Sequence, residues 1–129
     1  MAEQWHMNLS RRERQIMDIV YQRGEASVAD VLDDLDDAPS YSAVRAMLRI
    51  LEEKGYLRHE KQGQRYVYSP TLDRTKAARS VLRRILHTFF DGSTEHAVAA
   101  LLDIAESELS DAELSRLATL IEQARKEGR

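Results

Sequence analysis

The sequence contains no cysteine. That excludes a disulfide framework, a thiolate metal site and a cysteine nucleophile, and it fits a reducing compartment. Proline occurs twice and glycine five times in 129 residues, too rarely for a linker or a low-complexity tail. No uninterrupted apolar stretch approaches the ~20 residues of a membrane span. The opening MAEQWHMNLSRRERQ lacks the apolar core of a signal peptide. The expectation is an ordered, cytoplasmic protein with no membrane partner.

Catalytic signatures are missing too. The four histidines, at positions 6, 59, 87 and 96, never take the i, i+4 spacing with a glutamate that a zinc hydrolase helix uses. The acids of DVLDDLDD lack the glycine and spacing of a calcium loop. There is no glycine-rich phosphate loop and no nucleophile elbow. These residues read as surface groups; no catalytic residue, metal ligand or cofactor is expected, and the chain does not read as an enzyme.

What the sequence does have is segregated charge. The net charge is −3, yet residues 91–115 hold seven acids with no Lys or Arg, and residues 25–39 hold six acids without a cation. Positive charge is therefore confined to particular faces, where an anionic partner can still bind. In residues 70–90, Arg74, Lys76, Arg79, Arg83 and Arg84 stand against one acid. They either extend a nucleic-acid footprint or pair with the acidic 91–115 segment of a partner subunit, and the second reading is favoured.

Helix starts are marked by capping chemistry. Ser10 with Glu13 and Ser110 with Glu113 read as capping boxes, and Ser27 with Asp30 as a weaker one. Ser40 after Pro39 reads as an N-cap. A first helix over about 11–22 turns Ile16, Ile19 and Val20 inward and ends at Gly24; a second carries Val28, Val31, Leu32 and Leu35. The third separates cleanly into two faces. Val44, Met47, Leu48 and Leu51 form the inward set, while Ser42, Arg45, Ala46 and Arg49 form the opposite one. After Gly55 the period changes to two: YLRHE and RYVYS are joined by KQGQ as a hairpin, and Pro70 ends the second strand.

Three short helices followed by a hairpin is the order of a winged helix-turn-helix. The fold class expected is mainly α with a small β-hairpin: a DNA-binding domain over 1–70 and a helical dimerisation domain over 71–129. From residue 73 onward Val81, Leu82, Ile85, Phe89 and Phe90, then Leu101, then Leu114, Leu117 and Ile121 line apolar stripes. So short a set of helices buries too little surface by itself, and a second copy would cover it.

The third helix supplies the recognition candidates Ser40, Tyr41, Ser42, Ala43, Arg45, Ala46 and Arg49. Small residues near the helix start allow close approach to a major groove, where arginine reaches guanine or phosphate. The hairpin supplies Arg58, Lys61, Gln62, Gly63 and Arg65 as a wing laid along phosphates. The rival reading is a protein-interaction module that uses the winged helix as a scaffold and binds a basic partner through its acidic faces.

The segments LSRRERQIMDIVY, GEASVADVLDDL, SYSAVRAMLRILEEKGYL, RYVYSP, FFDGS and LSDAEL, in that order and spacing, resemble the penicillinase repressor family of bacterial regulators (the BlaI/MecI type, with CopY relatives). The resemblance covers about residues 9 to 127. It implies a homodimeric winged-helix repressor on a near-palindromic double-stranded DNA operator, with a C-terminal dimerisation region and release from DNA by proteolysis, which would make a sensor protease a further partner. Where such relatives commonly carry Tyr-Thr-Thr-Val-x-Thr, this chain has Tyr41, Ser42, Ala43, Val44, Arg45 and Ala46. The cysteine tail of the copper-responsive type is absent, and the Asn-Phe scissile pair would fall near Leu102 and Asp103.

Overall fold

The structure is a computed structural model that describes residues 9–37 and 39–128; the stretch read for a signal peptide begins, with His6, outside them. The chain divides into two compact units, residues 1–84 and 85–129.

In the first unit, α1 (Arg11–Arg23) leads to a two-residue strand β1 (Ala26–Ser27), α2 (Val28–Asp34) and α3 (Tyr41–Glu53). Strands β2 (Leu57–Gln62) and β3 (Arg65–Pro70) follow, and then α4 (Arg74–Phe90), which begins in this unit. The sheet has three antiparallel strands in the order β1-β3-β2, with Ala26 opposite Tyr68 and Ser27 opposite Val67. Sequence reasoning gave only the hairpin, because two residues carry no period. Three helices closed by a β-hairpin whose second strand takes up an early strand make a winged helix-turn-helix.

Each helix begins where its cap begins. Ser10 accepts from the Glu13 N–H, and Glu13 returns the bond to the Ser10 N–H at 2.8 Å. Ser27 and Asp30 form the same reciprocal pair, a full capping box where the sequence promised a weaker one. Ser40 accepts from the Ala43 N–H. At the far end of α3, Gly55 takes φ +90°. There the Tyr56 N–H bonds the Leu51 carbonyl, and the Gly55 N–H bonds that of Glu52. This Schellman turn stops the helix and sends the chain straight into β2.

The core joins Ile16, Met17 and Val20 of α1 to Val31 of α2 and to Val44, Leu48 and Leu51 of α3, none with exposed surface. Leu9, Ile19, Ala26, Val28, Leu35, Tyr56, Leu57 and Tyr68 pack around them. Met47 and Leu32, read as inward, pack only partly buried at the core's margin. An ion pair between buried Glu13 and exposed Lys54 ties the ends of two helices: Lys54 Nζ lies 3.0 Å from both Glu13 oxygens. Burial would push the Glu13 carboxyl up, but the Ser10 N–H and the Lys54 ammonium outweigh it and hold its pKa below the ordinary value.

The second unit contains the end of α4, then α5 (Thr94–Ala105), a 3₁₀ turn (Glu106–Glu108) and α6 (Asp111–Lys126). Asp91 and Gly92 take positive φ at the DGST break. Ser93 caps α5, and Ser110 with Glu113 caps α6. Beyond Ser80 no described residue is buried. Among the described residues no helix is long and apolar enough to cross a membrane.

A depressed carboxyl pKa stabilises the fold above its unfolded value and loses that contribution as pH falls through the folded one. Stability should therefore fall as pH drops below about 4.3. Glu13→Gln should cost about 1–2 kcal/mol at neutral pH and flatten that acid limb. Thermal melts of both chains from pH 7 to pH 3 test this; parallel curves would refute it.

Candidate nucleic-acid interface

The outward face of α3 and one face of the hairpin meet around Arg45. With Val44, Leu48 and Leu51 fixed in the core, the helical period points Ser42, Arg45 and Arg49 outward and leaves Ala46 half-buried. Ser42, Arg45, Ala46 and Arg49 line a concavity of about 440 Å³ with Glu52, His59, Tyr66 and Tyr68. Arg45 also lines a neighbouring one of about 320 Å³, with Tyr41, Ala29, Lys61, Gln64, Arg65 and Tyr66 among its walls. The two concavities share Arg45 and Tyr66 and together make one furrow.

The strand period decides which hairpin residues reach it. His59 opposes Tyr68 and Lys61 opposes Tyr66, so these four share one face, turned toward α3. Arg58, opposite Ser69, points to the other face. There it lines a separate concavity with Arg23 and Arg74. The structure thus gathers Tyr41, Ser42, Arg45, Ala46, Arg49 and Lys61 and leaves Arg58 apart; Arg65, opposite Gln62, falls on Arg58's side by the strand period, yet beside the turn it lines the smaller concavity. Gln62 ends β2 and pairs with Arg65, so the connection is only Gly63 and Gln64, with Gly63 at φ +65°. Ser40 is occupied as a cap, and Ala43 is half-buried outside both concavities.

The charges on this face are not all alike. Arg49 lies 3.7 Å from Glu53, a highly exposed pair whose hold on the guanidinium is weak. No acid stands within ion-pair distance of Arg45 among the described residues. Glu52 is engaged by His59, whose Nδ1 lies 2.7 and 2.8 Å from its two oxygens. Burial, and then the Glu52 charge, push the Tyr68 phenol pKa up, so it stays neutral. Sequence reasoning missed Glu52, His59, Tyr66 and Tyr68 as members of the furrow. The alternation in RHEKQ and RYVYS could have placed the last three on one face.

Two acidic residues of α2 pair with Arg23, although Asp30 also feels the Arg65 charge. Asp34 accepts from Arg23 at 2.6 Å, and Asp30 lies 3.4 Å from the same guanidinium. These contacts hold the Asp34 pKa down through the Arg23 hydrogen bond and that of Asp30 chiefly through the Ser27 N–H. No cluster of His, Asp or Glu able to hold a metal occurs among the described residues.

Compared with known proteins, residues 9–123 match the family model for penicillinase repressors. The chain is 25% identical over 117 residues to the penicillinase repressor of Bacillus licheniformis, covering 89% of this chain and 90% of that one. The DNA-binding domain of the repressor BlaI overlays 54% of the chain and 87% of its own, at 27% identity and TM-score 0.47. A mutant MarR from E. coli covers 95% of this chain and 84% of its own, at 11% identity and TM-score 0.51; that likeness concerns the fold.

The two-residue turn depends on a left-handed residue. Gly63→Ala should cost about 1 kcal/mol and speed amide exchange in residues 59–68 before the helices. Unchanged hairpin exchange would show that the turn tolerates a side chain.

Proposed function

The chain belongs to the penicillinase repressor family, and we propose that it is a DNA-binding transcriptional repressor that acts as a homodimer on a near-palindromic operator. The observation that carries this is the furrow around Arg45, where a two-faced helix and a hairpin bring cations to one surface. Small Ser42 and Ala46 let the backbone come near base edges, and Arg45 is long enough to reach guanine bidentately. Lys61 and Arg65 are suited to phosphates, which add affinity without reading sequence.

Dimerisation is supported by what α4 and the second unit leave uncovered. Phe89 is 75% exposed, Leu101 60% and Ile121 58%, with Leu82, Ile85, Leu114 and Leu117 also in solvent; Val81 and Phe90 are half-buried. Apolar side chains in such number call for a partner surface, and a second copy offers the same stripes. The cations of α4 and the seven acids of 91–115 would pair across it. In this reading residues 1–70 hold the operator and 71–129 join the copies. Cleavage within 91–115 would separate the two half-site contacts and release the DNA, which is where a sensor protease would act.

Titration of duplexes selected from a randomised pool by the full chain tests the DNA reading. Binding should weaken with salt, with a log–log slope of about 0.9 per neutralised phosphate; recovery of no sequence would overturn it. Arg45→Ala should lose about 1–3 kcal/mol at one operator position and relax its base preference, whereas Lys61→Ala should weaken all sequences alike. A uniform loss from Arg45→Ala would make that residue a phosphate contact.

The double substitution Leu117→Glu with Ile121→Glu should give a monomer by sedimentation. Its operator affinity should fall by roughly 10²–10⁴, the avidity of a joined pair. A chain that still sediments as a dimer would place the joint elsewhere.

A further inference from the structure

The hairpin is a long lever on a short anchorage. Of the six residues in β2 only Leu57 is buried, and of those in β3 only Val67 and Tyr68. Residues 59–66, which include the turn, therefore have no core to fix their angle, and a two-stranded ribbon twists readily. Among the described residues a polar link crosses from α3 to this free half. Glu52, in the last turn of the helix, meets His59 Nδ1 with both oxygens, at 2.7 and 2.8 Å. The His59 ring is held in turn by Tyr66 at 4.6 Å and Tyr68 at 5.6 Å between centroids. A carboxylate only accepts, so Nδ1 carries the proton and the imidazole is locked in one orientation.

An acid on this face is otherwise unfavourable. Glu52 lines the same concavity as Arg45 and Arg49 and would repel an anionic duplex. Its engagement by His59 gives it a different task.

We propose that Glu52 and His59 are a positioning pair that sets the angle of the wing against the recognition helix. Arg45 in a groove and Lys61 and Arg65 on the backbone then engage one duplex together. The inference rests on the DNA-binding reading above. Neither residue needs to touch DNA. Without the link the helix still docks, but the wing swings free of the phosphates.

The test uses the full chain and a duplex selected by it from a randomised pool. Glu52→Ala and His59→Phe, the second keeping the ring contacts, should each lower affinity about as much as Lys61→Ala does. Each should reduce the log–log salt slope by about 0.9 for every wing phosphate lost. Lys61→Ala should add nothing further in either background. Glu52→Gln, which still accepts from Nδ1, should restore both affinity and slope. If one variant fails to fold, the other decides. An unchanged slope, with Lys61→Ala costing as much in the variants as in the parent, would overturn the pairing role. Absence of any salt-dependent binding by the unaltered chain would instead overturn the DNA reading, and the pair's role with it.

Discussion

Val44, Leu48 and Leu51 have no exposed surface, and that full burial fixes the rotation of α3 about its own axis. A helix so pinned has no freedom over its other side: at 3.6 residues per turn, Arg45 and Arg49 must leave the core. Losing one of these leucines would cost about 2–5 kcal/mol, so the orientation is firmly held. Every later feature of the interface takes its bearing from this helix. The Schellman turn at Gly55 sets where β2 begins, and the Lys54–Glu13 pair ties the same helix end to the start of α1.

The hairpin shows how a period of two sorts residues that look alike in sequence. Arg58 and Lys61 are both exposed cations on β2, but three positions along a strand put them on opposite faces. Only Lys61 shares the furrow with Arg45. His59, one residue from Arg58, lies on the furrow side against Glu52 and the tyrosines. A wing described only by its count of cations would miss this division.

The two units solve the problem of burial in different ways. The first closes a core of helix and sheet around residues with no exposed surface. The second, on α5 and α6, has amphipathic stripes and good caps but buries nothing among its described residues. Capping and propensity are enough to write helices, whereas stability for such short elements comes from packing an apolar face. That contrast sets the two units apart within the family match of residues 9–123.

The sequence by itself determined what is local. Ser10, Ser27, Ser40 and Ser110 set helix starts because a cap acts within three residues, and the i, i+3, i+4, i+7 spacing of α3 separated core from surface. The order of helices and hairpin gave the fold class for the same reason. Only the tertiary structure decided contacts between elements. β1 is two residues long and exists because β3 offers it hydrogen bonds. Glu52 and His59 are seven residues apart across a turn of chain, and no periodicity predicts that a helix end will face a strand. Arg58 left the furrow through a register that Gly63 and Gln64 set by making the turn two residues long. Local rules act through bonds to near neighbours; these outcomes depend on where the core places whole elements, which no short window of sequence contains.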